Sequence, residues 1–215
     1  MKNHLHNQLS QADRERIAAA IRAAEQQTGG EIYAVLARRS DDYFFVAGFV
    51  ACCGMIVTTV IAAFVAHYYW FDLTLPKFAL SLLAAFICMN VLLAFVPRLR
   101  MALVPHRVRY RRAHLNALQQ FIARNVHLTN KRTGILLFVS LAERYAEVVA
   151  DAGINARVEQ HDWNKIVATL SDHASSGLIA DGFVEAISQA GALLALHIPK
   201  EAGDKNELED HLVEL

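Results

Sequence analysis

The stretch RTGILLFVSLAERYAEVVADAGI, residues 132–154, decides the fold of the soluble part of this chain. It opens with the apolar run GILLFVSL, passes through a charged turn at Glu143 and Arg144, and returns as YAEVVAD. Two short β-branched and aromatic runs separated by a turn predict an antiparallel strand hairpin. We expect the two charged turn residues to be solvated and to close the hairpin. Asp151, just past the second strand, is the charge here that we single out for function.

The segment at the start of the chain predicts one helix and one strand. Ser10 followed by Asp13 forms a capping-box pattern, and apolar residues then recur at helical spacing until Gly29 and Gly30. EIYAVLA, residues 31–37, follows as a strand. A single helix and a single strand cannot bury a core, so this strand needs the sheet that the later part of the chain supplies.

Three more helices and an acidic tail are predicted around the strand hairpin. A helix over about residues 105–125 precedes it, and Trp163, Ile166, Val167 and Leu170 define an amphipathic helix after it. A further helix runs from Ile179 to near Pro199. Residues 200–215 hold six acids and two lysines, so we expect an exposed tail that adds at most a short helix.

Two long apolar runs separate the early strand from the rest of the α/β pattern. Residues 44–71 contain no Asp, Glu, Lys or Arg and a single histidine, His67, and residues 78–96 carry no charge. A helix needs about 20 residues to cross a bilayer core, so both runs are long enough to span a membrane. The turn DLTLPK, residues 72–77, joins them, and Tyr68, Tyr69 and Trp70 predict an interfacial aromatic belt.

The flanking arginines predict the orientation of this transmembrane hairpin. Arg38 and Arg39 precede it, and six arginines that we expect at the membrane surface follow it: Arg98, Arg100, Arg107, Arg109, Arg111 and Arg112. Cytoplasmic loops carry an excess of Lys and Arg, and anionic headgroups attract each such residue by about 1 kcal/mol. The first residues lack the apolar run of a signal peptide. We therefore expect a multi-pass protein of the inner (cytoplasmic) membrane with both termini in the cytoplasm.

These patterns give four segments and a set of partners. The segments are residues 1–42 and 98–199, which together form one α/β domain, the transmembrane hairpin 43–97, and the acidic tail 200–215. The lipid bilayer is the predicted partner, joined by membrane proteins or by self-association through Asn90 in the second span. Lys plus Arg balance Asp plus Glu, so the net charge does not indicate a nucleic-acid partner, and we predict none.

Carboxylates near the predicted strand ends and helix starts are the candidates for binding a cation or a ligand. They are Asp41 and Asp42 after the first strand, Asp151 after the hairpin, and Asp181 at a helix start. Asp151 can equally form a turn, and Asp181, like Asp162, can cap its helix. No known phosphatase, hydrolase or nucleotide-binding motif is present, so the catalytic and metal-binding residues stay unassigned.

Three blocks resemble the TPM domain family, in a bacterial membrane subgroup with an internal transmembrane hairpin. They are EQQTGGEIYAV (25–35), KRTGILLFVSLAERYAEVVADAGI (131–154) and DGFVEAISQAGALLALHIP (181–199). The resemblance implies a small mixed sheet flanked by helices, here interrupted by the two-helix transmembrane hairpin. It also implies an acidic cleft that includes Asp151 and binds Ca²⁺ or Mg²⁺. Two functions follow as hypotheses: a membrane-associated interaction or assembly factor, and a membrane-tethered, divalent-cation-dependent phosphatase.

Overall fold

The computed structural model describes residues 9–71, 74–129, 131–201 and 206–215, which divide into two compact units. One unit, here the α/β unit, combines residues up to Ser40 with those from Tyr110 onward, and the other, the hairpin unit, covers Asp41–Arg109. Parts of all four predicted segments lie outside the described residues. They are the first eight residues, Asp72 and Leu73 in the hairpin turn, Asn130, and positions 202–205 of the acidic tail.

The α/β unit contains the predicted helices and strands in the predicted order. Ser10 caps α1 through the expected reciprocal bonds with Asp13, which confirms the capping box. A short 3-10 helix at Val126–Leu128 follows α5, and the first turn of α5 belongs to the hairpin unit, as do α2, α3 and α4. The bounds of the helices and strands in the α/β unit are α1 Gln11–Glu25, β1 Glu31–Ala37, α5 His106–Ala123, β2 Gly134–Ser140, β3 Tyr145–Ala150, α6 Ala152–Asn155, α7 Gln160–Ser175, α8 Ile179–His197 and β4 Leu212–Glu214.

The four strands form one mixed sheet in the order β3-β2-β1-β4. β1 and β2 are parallel along seven residues, from Glu31 opposite Gly134 to Ala37 opposite Ser140. This pairing confirms that the chain segments before and after the two long apolar helices build one sheet. β2 and β3 pair antiparallel, which confirms the strand hairpin predicted from residues 132–154.

Helices cover both faces of the sheet, so β1 and β2 are buried on both sides. Alternate residues of β1 face opposite cores because side chains on a strand alternate between its faces. Ile32, Ala34 and Leu36 pack in the larger core with α1, α7 and α8, whereas the side chains between them pack in a second core with Ala113, Ala117 and Phe121 of α5. This double coverage accounts for the continuous apolar sequence of both strands.

The end of the acidic tail forms a strand, so the expectation of an exposed segment with a short helix was wrong. β4 pairs in parallel with β1 at Ala34–Leu36, and its Leu212 and Val213 are buried. Leu215 extends the pairing, because its N–H donates to the Leu36 carbonyl and its own carbonyl accepts from the Arg38 N–H at 2.8 Å. Sheet pairing overrides the charged composition here because the apolar side chains alternate into the two cores.

The hairpin unit consists of α2 Phe44–Tyr68, α3 Leu75–Phe95 and α4 Pro97–Leu103, and it continues into the first turn of α5. Both long helices are apolar, with mean hydropathy 2.4, yet only 6 % of that apolar stretch is buried in each. Phe45, Phe64 and Leu80 are examples of large apolar side chains on their outer surfaces. Length and composition therefore qualify both helices to cross a membrane. α8 also meets those two criteria, but half of its apolar stretch is buried in the α/β core.

Candidate functional site

A serine–glutamate cluster, consisting of Ser40, Ser140 and Glu143, lies where β1 and β2 end. The buried Glu143 carboxylate accepts hydrogen bonds from the Ser140 hydroxyl and, at 2.9 Å, from the Ser40 N–H. The two serine hydroxyls are 3.0 Å apart. The expectation that Glu143 is a solvated turn residue was wrong, because its side chain points back into the sheet edge with 1 % exposure. Arg144, by contrast, is exposed and takes a left-handed backbone conformation in the turn.

A carboxyl cluster, consisting of Glu25, Glu31 and Asp210, lies at the other end of β1, where this strand begins. Glu25 is buried, and its Oε1 accepts a hydrogen bond from the Ile32 N–H at 2.9 Å. Burial raises the pKa of Glu25 to about 8, and the charges of Glu31 and Asp210 add to that rise, against the lowering effect of the Ile32 N–H. Burial also raises the pKa of Glu31, although N–H groups of Glu207 and Leu208 donate to its carboxylate.

The face of the sheet that packs on α5 carries a histidine–glutamate–tyrosine group. His114 Nδ1 lies 2.9 and 3.0 Å from the two Glu147 carboxylate oxygens, and the Tyr145 hydroxyl donates to Glu147 at 3.0 Å. Burial and the neighbouring Glu147 charge raise the pKa of Tyr145, so the hydroxyl keeps its proton and remains a donor. The contact joins α5 to β3 and leaves the imidazole side chain about half exposed.

Asp151 is the N-cap residue of α6 and lies at the same end of the parallel strands β1 and β2 as the carboxyl cluster. Its Oδ1 caps the short helix by accepting from the Ala152 N–H, and its backbone N–H donates to the Gly134 carbonyl at the start of β2. Oδ2 is buried and receives no donor from the described residues. Asp151 therefore has the turn-forming role that the sequence allowed, and its role in binding a cation or a ligand stays a prediction.

Asp181 lies in the first turn of α8 and forms an ion pair with Arg16 at 2.6 Å. Arg16 also contacts Asp13, so the guanidinium links the starts of α1 and α8. Asp162 lies in the first turn of α7 and contacts Lys165 at 3.1 Å. Both aspartates sit where a negative charge favours the positive end of a helix dipole.

Asp41 and Asp42 belong to the hairpin unit. Asp41 accepts from the Tyr43 N–H at 3.3 Å, and Tyr43 turns the backbone through a left-handed conformation into α2. Asp42 pairs with Arg100 at 2.5 Å. Ser40 precedes Asp41 in the chain and lies at the end of β1. Asp151 lies beside the start of β2. Because β1 and β2 are parallel, Ser40 and Asp151 lie at opposite ends of these strands.

The six predicted membrane-surface arginines differ in their surroundings. The Arg100 guanidinium donates to the carbonyls of Leu93 and Ala94 at 2.6 Å each and lies 5.5 Å from the Phe44 ring. It therefore completes the hydrogen bonding at the end of α3, where helix carbonyls lack partners. Arg109 is partly buried, and the remaining four have the exposure that contact with lipid headgroups requires: Arg98, Arg107, Arg111 and Arg112.

The described residues bring no group of three or more His, Cys, Asp or Glu side chains into metal-binding geometry. Ca²⁺ takes six to eight oxygen ligands and Mg²⁺ about six. The unpaired oxygen of Asp151 supplies one such ligand, and the serine–glutamate cluster uses its carboxylate oxygens on its own donors. This part of the chain therefore does not present the donor set of a divalent-cation site, and Asp151, Asp41, Asp42 and Asp181 remain individual candidates.

The fold places side by side some residues that share no spacing in the sequence. His114 and Glu147 lie on different elements, and Glu25 and Asp210 lie near opposite ends of the chain. Spacing along one element could not reveal either pair. The signal that existed was local: Glu147 interrupts an otherwise apolar strand, and Glu25 ends an amphipathic helix on its apolar side.

Comparisons with known proteins bear on the fold. The family model of the TPM domain matches residues 98–193, which confirms the resemblance for that segment. Among solved structures, the NMR structure of the BA42 protein from the psychrophilic bacterium Bizionia argentinensis is similar over 98 % of this chain and 98 % of that chain. The TM-score is 0.61 and the sequence identity 18 %, so this likeness concerns the fold alone. A search of curated proteins gave no match.

Proposed function

We propose that this chain is an integral protein of the inner (cytoplasmic) membrane that presents its TPM domain in the cytoplasm as an interaction or assembly factor. The observation that carries the membrane part is the pairing of β1 with β2 on either side of α2 and α3. Two hydrogen-bonded strands must lie on the same side of a bilayer, so the chain between them crosses an even number of times. Two long helices with apolar, unburied surfaces would satisfy this requirement, and the arginines after α3 favour the cytoplasmic side.

The interaction role is favoured over catalysis because two carboxylates of the α/β unit already have structural partners. The carboxylates of Glu143 and Glu147 both form contacts that join different parts of the α/β unit. Large apolar side chains nevertheless remain on the outside of the α/β unit, with Leu178 52 % and Leu196 76 % exposed. Single exposed leucines are ordinary on a soluble surface, so they serve here as positions for probes of a partner rather than as a mapped interface.

Membrane topology is tested with reporters on the full-length chain. Green fluorescent protein fused after Leu215 is expected to fluoresce, and alkaline phosphatase at the same place is expected to be inactive, because both report a cytoplasmic end. A matched variant, Leu83→Arg with Ile87→Arg, places two charges in the middle of α3 at a cost of about 3 kcal/mol each. We expect it to lose the membrane-pellet fraction that resists carbonate extraction. An active phosphatase fusion in the wild-type chain would contradict the proposed orientation.

The interaction role is tested by photo-crosslinking in native membranes. A photoreactive residue at position 178 or 196 is expected to give discrete protein adducts, whereas the same probe at Leu80 of α3 is expected to react with lipid.

The alternative function, a divalent-cation-dependent phosphatase, is tested by phosphate release from p-nitrophenyl phosphate. The assay is run with and without Ca²⁺ or Mg²⁺, beside the variant Asp151→Asn. Cation-dependent turnover that this variant abolishes, without protein adducts, would favour the phosphatase.

A further inference from the structure

The turn between β2 and β3 is fastened to the chain segment that leaves β1. The Leu141 N–H donates to the Ala37 carbonyl at 3.0 Å. The Ala142 N–H donates to the Arg38 carbonyl at the same distance. Because the parallel strands β1 and β2 end with Ala37 opposite Ser140, the turn and the segment after β1 form one surface at this end of the sheet. We call this surface the strand-end face.

The first half of α5 lies at the same end of the sheet. The ring of Tyr110 lies 5.1 Å from the ring of Tyr145, the first residue of β3 after the turn. The helix ends at the start of β2, where a Cβ added to Gly134 would meet the Val126 carbonyl. Since α5 runs from one end of β2 to the other, the residues that follow Tyr110 border the strand-end face.

The strand-end face is positively charged. Within the described part of the chain, the side chains of Arg38 and Arg144 form no ion pair. Glu143, the acid of the turn, is buried, and its carboxylate accepts from the Ser40 N–H and the Ser140 hydroxyl. The other end of β1 holds the carboxyl cluster, so the two ends of this strand differ in charge. The exposed arginines that share the strand-end face are Arg38, Arg39, Arg111, Arg112 and Arg144.

The tip of the turn carries an arginine where the backbone favours glycine. The φ angle of Arg144 is 52°, in the left-handed region that side chains other than those of Asn and Asp rarely adopt. Glycine or asparagine would form this turn with less strain. The geometry of the turn therefore does not account for an exposed guanidinium at its tip, whereas a ligand for that guanidinium would.

The length of the connecting chain limits how far the strand-end face can be from a bilayer that α2 enters. The six residues 38–43 separate Ala37, the end of β1, from Phe44, the start of α2. A fully extended chain covers at most about 3.6 Å per residue, so this connection spans no more than about 25 Å. The face that carries Arg144 is thus the part of the sheet that the chain ties to the membrane surface.

We propose that the strand-end face docks on the bilayer, where Arg144 and Arg38 bind the phosphate groups of anionic lipid headgroups. A guanidinium donates two parallel N–H groups to a phosphate, and the negative surface of the cytoplasmic leaflet attracts exposed arginines. The β2–β3 turn is then a membrane contact, and the carboxyl cluster at the other end of β1 faces the cytoplasm. This inference rests on the proposed membrane function, because insertion of α2 and α3 brings the face within reach of lipid.

Fluorescence quenching of the full-length chain in nanodiscs tests this docking. A fluorescent amino acid is placed at position 142 in the turn, and a lipid with a nitroxide on its headgroup quenches it on contact. We expect at least about threefold more quenching in phosphatidylglycerol than in phosphatidylcholine nanodiscs, because the anionic headgroups attract the arginines. The same probe at Leu196 is the positional control and should stay unquenched in both lipids. Leu196 lies toward the start of β1, since Pro199 forms a bridge to Thr28 there.

Substitution of the arginines tests which side chains bind the headgroups. Arg144→Gln is expected to reduce the additional quenching in phosphatidylglycerol by at least about twofold, and Arg144→Gln with Arg38→Gln should abolish it. Arg22→Gln removes the same charge from an exposed position in the last turn of α1, toward the start of β1, and should leave the quenching unchanged.

Three results would overturn the docking: equal quenching at position 142 in the two lipids, equal quenching at positions 142 and 196, or no effect of the substitutions at Arg144 and Arg38. A probe at Leu83 of α3, with the nitroxide on the lipid acyl chain, reports membrane insertion separately. Quenching at Leu83 without quenching at position 142 would reject the docking alone. An unquenched probe at Leu83 would reject the proposed membrane function together with the docking.

Discussion

Glu143 offers the sharpest test of how the two parallel strands are joined at their ends. Its carboxylate accepts from the Ser140 hydroxyl and the Ser40 N–H, and both Glu143 and Ser140 are buried. A hydrogen bond to a charged group contributes about 1.5–3 kcal/mol, so Glu143→Ala should lower the free energy of unfolding by about 3–5 kcal/mol. Glu15→Ala, which removes an exposed glutamate, should change it by less than about 0.5 kcal/mol.

Trp163 fluorescence during urea unfolding in detergent micelles measures this change. Trp163 is buried in the α/β unit, and replacing the exposed Trp70 of the hairpin unit by Phe leaves it as the reporter. Ser140→Ala with Glu143→Ala removes both partners of one bond, so the double variant should lose about 1–2 kcal/mol less than the sum of the single variants. A Glu143→Ala loss below 1 kcal/mol, or strict additivity, would refute the buried acceptor role.

Three further changes test the packing and the hairpin unit. Gly134→Ala would place a Cβ 2.3 Å from the Val126 carbonyl oxygen, so we expect a loss of more than about 2 kcal/mol in the same unfolding assay, whereas Gly48→Ala meets open space and should be near neutral. Phe183→Ala removes a fully buried ring and should cost about 3–5 kcal/mol, and a value below 1 kcal/mol would contradict its place in the core. Arg100→Ala leaves the last carbonyls of α3 without their donor, so limited proteolysis should cut the α3–α4 junction faster than in Arg107→Ala; equal rates would count against the role of Arg100.

Elements with a strong period or length were predictable from the sequence. The strand hairpin, α1 with its capping box and the two apolar helices all follow from local sequence patterns. β4 was not predictable, because Leu212 and Val213 are two apolar residues in a charged segment and their strand conformation comes from pairing with β1. A three-residue element carries too few residues for a period to be visible.

The side-chain clusters were less accessible to prediction than the elements. Glu143 occupies a turn, where a charged residue is normally solvated, and its burial depends on Ser40, which lies about a hundred positions earlier in the chain. His114 meets Glu147 because α5 packs over β3, and no spacing rule relates those two positions. Asp151 was predicted as a candidate from its position after a strand; its helix cap confirms the turn-forming role, and the ligand role stays a prediction.

The position of the apolar helices between β1 and β2 has a consequence for biosynthesis. β1 leaves the ribosome first, but its partner begins at Gly134, opposite Glu31, so 103 further residues must be made before pairing can start. At typical translation rates this delay lasts about 5–20 s, during which the mostly apolar β1 has no β2 partner. If just one apolar helix entered the bilayer, the two strands would emerge in different compartments and never meet. Closure of the sheet would then act as a proofreading step, leaving an incorrectly inserted chain with an unpaired strand that proteases and chaperones recognise.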